Sequence, residues 1–90
     1  MKIYFITDGE NIKIGRSKNV EQRIKQLQTS NSINLKLLYY LETEDVTFET
    51  HVHNVCQRFR VKGEWFKPEA INHLINHPWF KKHMVKVESG

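Results

Sequence analysis

Five polar side chains, scattered along the chain, are of the types that phosphoryl chemistry needs: Tyr4, Lys13, Arg23, Glu49 and His53. Tyr4 and Lys13 lie in two short alternating runs, Ile3/Phe5 and Ile12/Ile14, separated by the turn signal Asp8-Gly9. With Phe5 and the isoleucines on one side of a hairpin, Tyr4 and Lys13 emerge together on the other. Glu49 and His53 stand at i and i+4 on a helical stretch, one turn apart on the same surface. The charge around them is segregated. Residues 16–25 carry Arg16, Lys18, Arg23 and Lys25 against Glu21 alone. A second basic group, Arg58, Arg60, Lys62 and Lys67, is broken by Glu64, and residues 39–57 contain no Lys or Arg. One carboxylate between two basic arms suits metal-assisted phosphodiester hydrolysis. The carboxylate holds a hard divalent cation, guanidinium groups take up charge on phosphorus, and the other cations hold the backbone.

The elements that must position these groups are legible as a short series. After the hairpin, Asn19 is a helix N-cap with Gln22 placed to close a capping box, and Val20, Ile24 and Leu27 form the helix's apolar stripe. The Leu- and Tyr-rich run 34–41 reads as a third strand covered on both faces. Glu42, Glu44 and Asp45 suit the start of a second helix, whose stripe is Phe48, Val52, Val55 and Phe59. Gly63 interrupts the pattern before Trp65 and Phe66, which read as core closure. Pro68 opens a third helix carried by Ile71, Leu74 and Ile75, and Pro78 ends it. Trp79 and Phe80 are expected to fold back onto the body, and the last six or so residues to fray. The expectation is an α+β domain over residues 1–90, with a core of 2–67 and a C-terminal helix and tail of 68–90. Its sheet has three antiparallel strands flanked by helices, in the order β-β-α-β-α-α.

Composition sets the bounds. A chain of 90 residues has room for one modest core, too little for a barrel enzyme or a dinucleotide fold. No apolar run is long enough to span a membrane, and the N-terminus lacks the shape of a secretory signal. Cys56 is the lone cysteine, so an intracellular, cytoplasmic setting is the simpler expectation. The net charge of +4 and pI near 9.3 mildly favour a polyanionic partner without establishing one.

The ordered set of motifs resembles the GIY-YIG nuclease superfamily. It is closest to the small phage- and virus-associated branch known as the T5orf172 or meiotically up-regulated gene 113 type. The first signature strand is Tyr4-Phe5-Ile6 and the second Lys13-Ile14-Gly15, where many members read Tyr-Ile-Gly. Arg23 matches the family arginine eight residues after that glycine, and Glu49 the metal-binding glutamate. Glu49 belongs to the branch pattern Glu49…His53…Arg60…Gly63-Glu64-Trp65-Phe66. The resemblance covers residues 2–67, about three quarters of the chain. It implies an endonuclease that cuts DNA with one Mg2+ or Mn2+ ion at Glu49 and no organic cofactor. Tyr4 would handle the proton of the attacking water with Lys13 as its nearby cation, and Arg23 would stabilise the transition state. His53 would support the site. Arg16, Lys18, Lys25, Arg58, Arg60 and Lys62 would contact DNA, while Gly15, Gly63, Trp65 and Phe66 would serve the fold. Glu64 is the nearest stand-in for a late polar residue of the family. It would either tighten metal binding or pair with Arg58 or Arg60.

Each residue also has a plainer reading. Tyr4 can be a packed strand aromatic with its hydroxyl at the surface, Arg23 a partner for Glu21, and Glu49 a solvated helix residue. His51, His53, Cys56, His73 and His77 have usable zinc spacings but no Cys-x2-Cys knuckle, and a single thiol makes a weak structural site. The alternatives to the nuclease are a DNA-binding module of the same fold that cuts slowly or not at all, and a small interaction protein. A lone domain of this size has little area for sequence recognition, so a homodimer or partner protein is the expected source of specificity.

Overall fold

The computed structural model describes residues 1–87. Alternation builds the centre: β1 (Lys2–Thr7) and β2 (Ile12–Ser17) form an antiparallel hairpin that pairs Phe5 with Ile14 and Tyr4 with Gly15. The turn follows the Asp8-Gly9 signal. Gly9 takes φ +98°, a left-handed conformation cheap only for glycine, and the Asp8 carboxylate accepts the amides of Glu10 and Asn11.

β2 leads through Ser17 into α1 (Val20–Thr29), where Asn19 Oδ1 accepts the Gln22 amide at 3.1 Å. The expected capping box forms only in that half. The Asn19 amide goes to the Ser17 hydroxyl at 3.0 Å, which leaves Gln22 free to face solvent. Beyond α1 the Gln28 side chain binds the Asn31 and Ile33 carbonyls and the Leu35 amide. This ordering of the loop delays β3 to Lys36–Glu42, two residues later than the hydrophobic run suggested.

Among the described residues the sheet has six strands in the order β4-β5-β2-β1-β3-β6, not three. The added strands are β4 (Arg60–Lys62), β5 (Trp65–Phe66) and β6 (Val85–Lys86). Strands of two or three residues carry no readable period, and tertiary contacts alone define them. Phe66, fully buried, anchors β5; burial of such a ring contributes about 1.5–3 kcal/mol. Gly63, at φ +57°, makes the β4–β5 turn.

The helices differ from expectation for related reasons. α2 (Phe48–Val55) passes into a 3-10 turn at Gln57–Phe59, and α3 spans Glu69–Ile75. Pro78 begins α4 (Pro78–His83), because its fixed φ and missing N–H suit a first helical turn. Val85 and Lys86, expected to fray, pair as β6 with Tyr40 and Tyr39; residues 88–90 of that expected tail lie outside the described residues. The order is therefore β1-β2-α1-β3-α2-β4-β5-α3-α4-β6.

Both sheet faces are covered. Ile3, Phe5, Ile12 and Ile14 pack with Val52 and Cys56 of the α2 segment, Ala70, Ile71 and Leu74 of α3, and Phe80 of α4. On the other face Tyr4 and Ile6 meet Val20 and Leu35, backed by Ile24 and Leu27 of α1. Cys56 behaves as a small buried hydrophobe whose thiol is pushed up to about 11 by burial.

Candidate active site

The site gathers around one stretch of β2. On its outer side β2 pairs with β5 through Ile12 and Lys13, and the last ladder bond runs from the Ile14 amide to the Glu64 carbonyl at 3.0 Å. Among the described residues, Gly15–Ser17 have no strand partner on that side. The main-chain carbonyl just before that stretch is met by α2: His53 Nε2 lies 2.8 Å from the Ile14 carbonyl oxygen. A carbonyl only accepts, so Nε2 carries the proton, and in the neutral ring Nδ1 is the free acceptor. His53 also rests 5.2 Å from the Phe66 ring. It is thereby a positioning residue that pins α2 to β2.

Glu49, one turn before His53, is partly buried in the resulting corner. Burial, first, and the negative charge of Glu64, second, push its carboxyl above the ordinary value. His53, Arg16 and Lys13 pull the other way without cancelling the rise. Lys13 Nζ pairs with Glu64 Oε2 at 3.2 Å and stands 5.6 Å over the Trp65 ring. Glu64 thus answers Lys13, and neither Arg58 nor Arg60 is its salt-bridge partner. Those two guanidinium groups lie over aromatic faces, Arg58 over Phe59 at 4.8 Å and Arg60 over Phe66 at 5.3 Å. Arg16 donates to the Val46 carbonyl and so ties the end of β2 to the approach of α2.

Tyr4 reaches the same stretch from the opposite face. Its ring lies across Gly15 so closely that a Cβ there would fall 2.5 Å from Cζ. Tyr4 is 1% exposed and its hydroxyl makes no hydrogen bond among the described residues, where no buried polar side-chain atom lacks a partner. The hydroxyl is therefore the point at which this sealed residue touches solvent.

Arg23 stands apart. It is exposed on α1, meets Gln26 loosely at 3.5 Å, and lines a shallow groove of about 220 Å³ with Ser17, Lys18, Asn19 and Gln22. Among the described residues no hydrogen bond or ion pair joins it to Tyr4 or Glu49. Lys25 is exposed on the same helix, and Arg60 and Lys62 lie on the outermost strand. The structure brings Lys13, Arg16, Glu49 and His53 together with Tyr4 around residues 13–16, and leaves Arg23 in the separate groove that begins at Ser17.

Glu64 is the site residue that sequence reasoning undervalued. Its place depends on the register of a two-residue strand, which no alternation announces. The Val46 carbonyl carried no signal at all.

The match to known families decides what this arrangement belongs to: the T5orf172 domain covers residues 1–87. The chain belongs to the T5orf172 domain family. Comparison with curated proteins and with solved structures gave no match. For a T5orf172 domain the expected divalent ion can be tested against the donors present. Among the described residues no three His, Cys, Asp or Glu side chains are grouped to hold a metal ion. A cation here would take most of its ligands from water and substrate, the habit of Mg2+. Glu49, partly buried beside a second carboxylate, would be the protein carboxylate for such an ion.

The crowding is measurable. Glu64→Gln removes the second cause of the raised Glu49 titration and leaves burial, the first. The Glu49 midpoint is expected to move down yet remain above the ordinary glutamate value, as read by carboxyl-carbon NMR titration. An unmoved midpoint would show that Glu64 does not act on it.

Proposed function

We propose that this T5orf172 domain is a divalent-metal-dependent endonuclease acting on DNA phosphodiester bonds. One observation carries the reading: the Tyr4 hydroxyl comes to β2 from one face while Glu49 and His53 come to it from the other. Glu49, with Glu64 beside it, would hold the ion; once bound, such an ion polarises the phosphoryl oxygens and neutralises charge on the leaving oxygen. The chain's own residues do the rest. Tyr4 takes the proton of the attacking water while releasing its own phenolic proton to solvent, the water oxygen bonds to phosphorus, and the phosphorus–leaving-oxygen bond breaks with the leaving oxygen taking a proton from solvent. Lys13 and Arg16 supply positive charge beside the pentacovalent phosphate, and His53 keeps Glu49 in place by pinning α2. Arg23 and Lys18 hold the strand where it runs past Ser17. The finer kinship with the meiotically up-regulated gene 113 type is part of this reading, supported by the run from Glu49 to Phe66. A cytoplasmic setting, in a bacterium or an infected host cell, belongs to it too. No helix among the described residues is long and apolar enough to cross a membrane.

The separate position of Arg23 favours a second reading, a module of the same fold that binds DNA without cutting it. Supercoiled plasmid with Mg2+ or Mn2+ separates the two. The nuclease converts it to nicked or linear forms, EDTA stops the conversion, and Tyr4→Phe slows it by about 10²–10⁴-fold, the usual contribution of a positioned proton-transfer group. Salt-sensitive binding with no strand breaks under either metal would establish the binding module instead.

A further inference from the structure

The flank of α2 opposite Glu49 bears a feature that cleavage does not use. Phe48, His51 and Val55 of α2 face His77, Trp79 and Phe80 across an open groove of about 480 Å³. Trp79 is 47% exposed and is not part of either core cluster. It is nevertheless packed against neighbouring rings. Its indole stacks on His83 at 4.1 Å and 19°, Phe48 meets it at 5.3 Å, and the His83 ring bonds the Trp79 carbonyl oxygen at 2.8 Å. A flat aromatic ring, already packed and half open, loses little entropy when another ring lands beside it. On the α4 side of the groove the charge has one sign. From Ala70 to Val87 the chain has Lys81, Lys82 and Lys86 and no Asp or Glu. On the α2 side the carboxylate whose charge interacts with His51 is that of Asp45, and it is bound to the Thr47 amide and hydroxyl.

We propose that this groove takes an unpaired nucleobase of a DNA strand, the base lying between Trp79 and His51 and the flanking phosphates meeting Lys81 and Lys82. The assignment rests on the DNA-directed reading above but not on cleavage. It adds preference for unpaired over fully paired strands. Base and phosphate together match an aromatic groove that has Lys81 and Lys82 on the same short helix as its Trp79 and Phe80, and stacking accepts any base because every base has a π-face.

The test is fluorescence anisotropy in EDTA at low salt, with labelled dT12, its 12-base-pair duplex and rU12 as probes. Trp79→Ala is expected to weaken dT12 binding about tenfold or more, with duplex binding changed less than twofold. Trp79→Phe should stay within about threefold of wild type. Should Trp79→Ala melt early, His51→Ala on the other wall makes the same comparison. An unchanged dT12 affinity, or equal losses for dT12 and duplex, overturns the proposal. A tenfold preference for rU12 overturns its assignment to DNA. Duplex binding without dT12 binding defeats this proposal alone, whereas failure to bind any probe defeats the DNA reading of the whole protein. Self-association abolished by Trp79→Ala, without dT12 binding, would give the groove to a second copy of the chain.

Discussion

Glu49→Gln is expected to slow Mg2+-supported plasmid cleavage by about 10³-fold or more while DNA binding in EDTA stays within about twofold. The size follows from losing the charge that holds a Lewis acid, a contribution of several kcal/mol to the transition state. The small change in binding follows because the proposed phosphate contacts fall to Lys13, Arg16, Lys18 and Arg23. The same substitution has an opposite effect on the fold. A carboxyl whose folded pKa is raised contributes stability below its unfolded value and loses it as pH rises through the folded value. At neutral pH, without metal, the amide that replaces the Glu49 carboxylate has no charge to desolvate and no repulsion from Glu64. Glu49→Gln should therefore melt higher than wild type at pH 7, and the gain should vanish in acid below the ordinary glutamate range. A variant that cuts normally, or that melts lower at pH 7, would remove Glu49 from the proposed role. Loss of cleavage together with gain of stability is the signature of a residue kept for chemistry.

Gly15→Ala is expected to cost about 1–3 kcal/mol in urea denaturation, the usual penalty for overpacking. The added methyl collides with the phenol of Tyr4. That ring cannot retreat, because Ile6, Val20 and Leu35 close around it. Any shift that relieves the clash also displaces the hydroxyl, so cleavage should fall with stability. In a Tyr4→Leu background the same alanine should cost less than half as much, and equal costs in the two backgrounds would rule out the contact as the cause.

The outcome at these residues shows what a sequence exposes and what it hides. Ile3, Phe5, Ile12 and Ile14 alternate long enough to assign both faces of the hairpin, so the shared face of Tyr4 and Lys13 could be read directly. The service of Gly15 to the fold and the weakness of the lone Cys56 as a zinc ligand were equally accessible, since each depends on residue type. Tertiary placement was not. The Glu64–Lys13 pair requires β5 to lie beside β2, and two residues offer no periodicity from which to infer that. Pro78 can stop one helix or start the next, and only the packing of Phe80 into the core decides. Arg23 illustrates a different limit. The spacing fixes its turn on α1, but its aim depends on how α1 is rolled against the sheet by Val20, Ile24 and Leu27.

The arrangement around Gly15–Ser17 has a further consequence. The groups proposed for catalysis are mounted on separate layers, and what holds them in common is the backbone of a single strand. A scaffold of peptide groups keeps its dimensions when neighbouring side chains are exchanged. The loops and outer helices of such a domain can therefore drift in composition, and so acquire new targets, without the spacing between phenol and carboxylate being reset each time.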